Sequence, residues 1–146
     1  MADNIADLRK EYTNASLDIE SANSNPFIQF DKWFKEAQQA ELPEPNAMVL
    51  STVDTQGQPF QRTVLMKALD QQGVVFYTNY KSRKAEQIAE NNRVNILFPW
   101  FPMERQVSIQ GRAVKVTNKE SLNYFLSRPH GSQLGAWVSQ QSSVIN

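Results

Sequence analysis

Hydrophobic and polar positions change their period several times along the chain, and each change marks an element. The first 24 residues are polar, without a clear period after Tyr12. They read as a mobile N-terminal arm, residues 1–24, with a short helix around Ile5–Tyr12. Asn25-Pro26 then supplies a helix cap and a proline suited to the first helical position. Phe27, Phe30, Trp33, Phe34 and Ala37 follow at helical spacing, so the sequence predicts a helix that packs an aromatic stripe into a core and ends before Leu42-Pro43.

Beyond that proline the period falls to two. Ala47–Val53 and Phe60–Lys67 predict strands on either side of the turn-forming DTQGQP, and Val74–Thr78 follows a second turn, DQQG. Val94–Phe98 and Arg105–Val116 complete five strands. In the last of these, Val107, Ile109, Gly111 and Ala113 share one face while Val114 and Val116 fall on the other, so a bulge is expected near Gly111-Arg112. Between the third and fourth strands, Ser82 suits a helix N-cap and Ala85, Ile88 and Ala89 form an apolar stripe reaching about Asn91. Thr117 and Glu120 fit a capping box ahead of Leu122, Phe125 and Leu126. SRPHG breaks that helix, and Ser132 caps another with Leu134, Trp137 and Val138 on one face. Five short strands, two or three helices and few βα alternations predict a mainly β fold with added helices, an antiparallel barrel spanning residues 25–146.

Composition narrows the function classes. The 146 residues suit one domain with a real core. Lys plus Arg and Asp plus Glu both number 15, and this zero net charge counts against a bulk nucleic-acid binder. The chain has no cysteine and a single histidine, His130, which sits in a turn and reads as an ordinary surface residue. Thiolate chemistry, cysteine metal sites and His-pair mechanisms are thereby set aside. MADNIADLRKEY has no apolar h-region and no apolar run reaches the length of a membrane span, so a soluble, cytoplasmic protein is expected. GxGxxG, a Walker loop, HExxH and GxSxG are all missing. An enzyme built on this chain would therefore draw its reactivity from a bound cofactor.

Three polar clusters are candidates for binding one. Lys81, Arg83 and Lys84 crowd the first turn of the second helix, where the helix dipole already places positive charge. A phosphate there would turn the repulsion into attraction; a solvated basic turn is the alternative. Tyr124 and Arg128 lie one helical turn apart, with Ser132 just after Pro129, and could hold a second phosphate or be simple surface packing. In QRTVLMK, Arg62 and Lys67 are separated by an odd number of residues, so an ideal strand puts them on opposite faces. Either a bulge brings them together or they serve different parts of a site. Gln106 and Gln141-Ser142 are neutral hydrogen-bonding groups that could meet the edge of a heterocycle. A basic, tyrosine-lined surface (Arg62, Lys81, Arg83 and Lys84 with Tyr77 and Tyr80) would also suit single-stranded nucleic acid, a reading the zero net charge disfavours.

Taken in order, RTVLMK, VFYTNYKSRKAEQI, LFPWFPMERQV, YFLSRP and SQLGAWVSQQSS resemble the pyridoxamine 5′-phosphate oxidase family, and LRKEY resembles its N-terminal segment. The likeness runs from about Leu8 to Asn146. It implies an FMN-binding split β-barrel, antiparallel and Greek-key-like, found as a homodimer with flavin at the interface. The implied reaction is FMN-dependent oxidation of pyridoxamine or pyridoxine 5′-phosphate to pyridoxal 5′-phosphate, with O2 as acceptor and H2O2 as product. By motif, FMN contacts would be Arg62, Thr63, Val64, Leu65, Met66, Lys67, Tyr77, Thr78, Arg83, Lys84, Gln106, Gln141 and Ser142. Substrate contacts would be Arg9, Tyr12, Lys67, Tyr124, Arg128 and Ser132. The family pattern continues past SSVIN with closing strands, a tryptophan against FMN and an Arg-x-His element. No catalytic side chain is therefore assigned within this chain, the barrel is expected to be incomplete, and a non-catalytic module binding FMN or a B6 phosphate is the alternative. No metal, nucleic-acid or membrane partner is expected.

Overall fold

A computed structural model describes residues 4–14 and 16–117. The helices expected after Thr117, and with them Tyr124, Arg128, His130, Ser132, Gln141 and Ser142, lie outside the described residues. The described residues fall into two units: residues up to Pro45 together with Pro99–Gln106, and Asn46–Phe98 together with residues from Val107 onward.

In the first unit, helix α1 spans Pro26–Gln39, with the Asn25 side chain accepting the Phe27 N–H. The expected stripe does the packing. Phe30 and Ala37 are buried, and the Phe30 and Phe34 rings stack with centroids 6.2 Å apart. Trp100 tilts against both rings at 5.6 and 6.4 Å, and its indole N–H donates to the Pro45 carbonyl at 2.9 Å. The helix stops at Gln39, and Glu41 turns the chain at a left-handed φ of 56° before Leu42-Pro43.

The arm is less helical than its sequence predicts. A single 3-10 turn covers Ile5–Asp7. Ile5, Leu8 and Tyr12 are exposed, so no apolar face supports further turns, and so short a helix does not stand alone in water. Instead, the Thr13 and Asn14 N–H groups donate to Glu104 Oε2 at 3.1 and 2.8 Å, and Lys10 Nζ lies 3.7 Å from Oε1. Glu104 holds this position at φ 55°, with its side chain only 5% exposed.

The second unit is built on a sheet of β1 (Ala47–Val53), β2 (Pro59–Asp70), β3 (Gly73–Phe76), β4 (Arg93–Trp100) and β5 (Arg105–Arg112), in the order β3-β2-β1-β4-β5. The ends of β4 and β5 run on into the first unit. β1 pairs antiparallel with β2 and β4, and β2 antiparallel with β3. Two Asp-Gly devices make the tight turns. Asp54 Oδ1 accepts the N–H groups of Gln56 and Gln58 around Gly57 at φ 82°. Asp70 Oδ1 accepts those of Gln72 and Gly73. Positive φ explains glycine at Gly57.

Alternate residues of β1 point inward: Met48, Leu50 and Thr52 are buried, and among the described residues Met66, Ile96 and Phe98 join them in the core of this unit. Helix α2 spans Arg83–Glu90, connects β3 at one edge to β4 beyond β1, and contacts β1. Its buried side chains are Lys84 and Gln87, whereas Ala89 of the expected apolar stripe is exposed. The stripe gives way because the β1 face beneath α2 carries Thr52 and asks for hydrogen-bonding partners.

The irregularity in the sheet falls at Lys67 rather than at Gly111. Met66 faces Phe76 and Ala68 faces Val75, so Lys67 is the extra residue. Inward positions accordingly switch from even numbers up to Met66 to odd at Leu69. β5 ends at Arg112, and the Ala113 N–H turns to the Asn92 carbonyl. Val114 and Val116 thus follow the strand, and no bulge within it is needed to account for their change of face.

Candidate functional site

Sequence places a basic turn at the start of α2; folding places a buried polar network beside it. Arg62 lies on the inward face of β2, opposite Leu50 and next to Thr52. Its Nη1 donates to Thr52 Oγ1 at 2.6 Å, to the Leu50 carbonyl at 3.1 Å and to the Phe60 carbonyl at 3.3 Å. Its Nη2 donates to Gln87 Oε1 at 3.3 Å. The Thr52 hydroxyl in turn donates to Gln87 Oε1 at 2.6 Å. Among the described residues, every acceptor of the guanidinium is neutral.

The loop before α2 is braced by its own hydrogen bonds. Ser82 is fully buried, and its hydroxyl caps the helix by accepting the Ala85 N–H. Thr78 Oγ1 sits 3.5 Å from Ser82 Oγ, and Asn79 Oδ1 accepts the Lys81 N–H at 2.9 Å. Arg83 is exposed and lies over the Phe60 ring, 5.8 Å from its centroid. Lys84 points into the protein, 7% exposed. Lys81 stays on the surface, so of the three bases only Arg83 and Lys84 join Arg62.

These cations oppose one another. Burial, then repulsion from Arg83, lowers the Arg62 pKa; burial, then repulsion from Arg62, lowers that of Lys84. Unfolded, Lys84 titrates near its ordinary 10.5; folded, it titrates lower. Between those values the unfolded chain holds more protons, so folding gains stability as pH rises through the window and loses it as pH falls. Denaturant midpoints of the ligand-free protein are expected to climb towards pH 10.5, and Lys84→Met is expected to flatten that climb. An unchanged climb in the variant would assign it to other groups.

The remaining sequence-derived positions are distributed. Thr63 and Lys67 are exposed on β2; Val64 and Leu65 are half-buried and Met66 buried, while Tyr77 and Thr78 are half-buried in the loop after β3. All belong to the second unit, with Arg62, Arg83 and Lys84. Arg9, Tyr12 and Gln106 belong to the first unit, where all three are exposed. Gln106 lines a cavity of about 370 Å³ there, with Trp33, Glu36 and Arg105 among its walls.

Thr52 and Gln87 escaped the sequence reading. A signal existed for each. Thr52 is the polar member of the inward set Met48, Leu50, Thr52, and Gln87 follows Lys84 at the i,i+3 spacing that puts both on one helix face.

Known proteins fix the family. Residues 34–146 match the family model described as pyridoxamine 5′-phosphate oxidase. The pyridoxine/pyridoxamine 5′-phosphate oxidase of Crocosphaera subtropica is 60% identical over 139 residues, 95% of this chain. The chain belongs to the pyridoxamine 5′-phosphate oxidase family. The Burkholderia thailandensis protein of the same name is 56% identical over 97% of the chain. This family member spans 65% and 66% of the lengths of those two relatives. Among solved structures, PhzG of Burkholderia lata, in complex with tetrahydrophenazine-1-carboxylic acid, aligns with a TM-score of 0.86 at 25% identity, covering 91% of this chain and 67% of PhzG. A pyridoxamine 5′-phosphate oxidase-related, FMN-binding protein of Nostoc punctiforme aligns at 0.61 and 20% identity, over 77% of this chain and 63% of that one, and shows the shared fold. The antiparallel sheet with its two helices is thus the described part of a split barrel of the oxidase family, as expected. Among the described residues, no helix is long and apolar enough to cross a membrane, and no group of acidic or histidine side chains is arranged to hold a metal.

Proposed function

We propose that this chain binds FMN and serves the oxidation of pyridoxamine or pyridoxine 5′-phosphate to pyridoxal 5′-phosphate, with O2 as acceptor and H2O2 as product. The observation that carries the reading is the set Arg62, Arg83 and Lys84. Three cations converge, the Arg62 pKa lowered by burial and by Arg83 and that of Lys84 by burial and by Arg62, and among the described residues Arg62 is held by neutral acceptors. A phosphate-bearing cofactor fits that arrangement, because one dianion relieves all the repulsion at once. FMN supplies the two-electron redox chemistry when bound.

The chain's own residues bind and orient. Arg62, Arg83 and Lys84 take the cofactor phosphate, with the α2 N-terminus behind it. Thr63, Val64, Leu65, Met66 and Lys67 of β2, with Tyr77 and Thr78, form the adjoining wall, and Gln106, Gln141 and Ser142 contribute hydrogen bonds. Arg9, Tyr12, Lys67, Tyr124, Arg128 and Ser132 take the phosphorylated substrate. The assembly is a cytoplasmic homodimer with flavin at the interface. Identity of 55–60% to proteins named as pyridoxine/pyridoxamine 5′-phosphate oxidases, against 25% to PhzG, favours a B6 phosphate over a phenazine precursor as substrate.

The test is an FMN titration followed by flavin fluorescence, with peroxide release measured on adding pyridoxamine 5′-phosphate. Saturable binding and peroxide are expected. Arg83→Ala and Lys84→Ala are each expected to weaken FMN by ~10-fold or more, the scale of one lost charge-assisted hydrogen bond. Unchanged affinity in both variants would remove the phosphate from this site. FMN binding without peroxide would leave a flavin-binding module in place of an oxidase.

A further inference from the structure

We propose that Gln87 is a positioning residue: its amide oxygen orients Arg62 for an anion while leaving the guanidinium charge uncompensated. The proposal rests on the reading of Arg62 as a phosphate ligand.

The geometry assigns the proton positions. Arg62 can only donate, so Gln87 must turn its oxygen, not its nitrogen, towards Nη2. The Thr52 hydroxyl already accepts from Arg62 Nη1, so its own proton goes to the same Gln87 oxygen. One amide oxygen thus closes a ring of three hydrogen bonds from β1, β2 and α2. The ring holds the guanidinium by Nη1 and one edge of Nη2. Among the described residues, Nε–H and the second Nη2 hydrogen make no hydrogen bond, which leaves donors for a ligand. Gln87 is buried, so its amide is not replaceable by water.

Neutrality is the significant choice. Glutamate has nearly the same shape and would accept the same two hydrogen bonds. It would also form an ion pair with Arg62, and its negative charge would relieve the crowding of Arg62, Arg83 and Lys84. That relief would stabilise the ligand-free fold and cancel attraction for a phosphate. A residue serving only to satisfy Thr52 and Arg62 could be either amide or carboxylate; a residue serving anion binding must be the amide.

Gln87→Glu separates these roles. Two readouts are taken on the purified chain at fixed ionic strength: thermal midpoint without ligand, and affinity for FMN and for inorganic pyrophosphate as a simple anion. The expected result is a midpoint equal to or above that of the parent, with FMN and pyrophosphate both weakened by ~10-fold or more. A lowered midpoint, or parent-like affinity for both anions, would overturn the proposal. Gln87→Met removes the acceptor without adding charge. It is expected to lower the midpoint and to weaken FMN less than Gln87→Glu does, and the reverse order would overturn the proposal. Arg62→Ala keeps the two failures apart. If Arg62→Ala binds FMN as the parent does, the site reading itself fails; if Arg62→Ala loses FMN while Gln87→Glu keeps it, only the role given to Gln87 fails.

Discussion

Arg62→Ala is expected to weaken FMN binding by ~30- to 150-fold, from the roughly 2–3 kcal/mol carried by hydrogen bonds to a charged, desolvated group. The effect should fall on the ligand and not on the fold. The Thr52–Gln87 hydrogen bond at 2.6 Å survives the change, and loss of one cation relieves Arg83 and Lys84. Arg62→Lys should lie between parent and alanine variant. An ammonium keeps the charge but cannot span Thr52 on one side and Gln87 on the other as the planar fork does. The measurement is a fluorescence titration at fixed ionic strength, paired with circular dichroism to show an intact sheet. An affinity within threefold of the parent would leave Arg62 as a structural residue only.

Trp100→Ala is expected to be the most destabilising single change in the first unit, at ~3–5 kcal/mol, the usual cost of truncating a buried large aromatic. Trp100 is 3% exposed and touches both Phe30 and Phe34, so its removal opens a hole against α1. It also strips the Pro45 carbonyl of its indole donor. Trp100→Phe keeps most of the contact and loses that donor, and should cost less, about 1–2 kcal/mol. Against a total stability of roughly 5–15 kcal/mol, the alanine variant should show a large drop in denaturant midpoint. Equal midpoints for the two variants would mean that the hydrogen bond, and not the ring packing, is what matters at this position.

Much of this protein was legible in its local sequence, because local chemistry decided it. Asn25-Pro26 and a five-residue apolar stripe were enough for α1, since cap, proline and period act within a few residues of one another. Asp54 and Asp70 with their glycines specified two turns by hydrogen bonds of short reach. Alternation placed five strands, and the ordered motifs from RTVLMK onward were specific enough to place the chain in its family. The basic cluster at the start of α2 was visible as a conflict with the helix dipole, which an anion or a solvated basic turn would each account for.

Tertiary structure decided what those residues do together. Thr52, Arg62 and Gln87 are separated by 10, 25 and 35 positions pairwise, and no periodicity links them. Their association exists because β1 and β2 pair with Leu50 opposite Arg62 while α2 lies against β1. Ala89 belongs to the apolar stripe that the sequence predicts, yet burial on α2 goes to Lys84 and Gln87, because a helix face follows the surface it covers and that surface is polar at Thr52. The extra residue at Lys67 is a matter of register with β3, invisible until the partner strand is placed. Glu104 likewise gains its role only when Thr13 and Asn14, some 90 residues away in the chain, arrive at its carboxylate. Short-range capping, turns and alternation are encoded by neighbours in sequence. Hydrogen-bond partners and buried charge depend on which surfaces meet, and that is settled only when the strands and helices have packed.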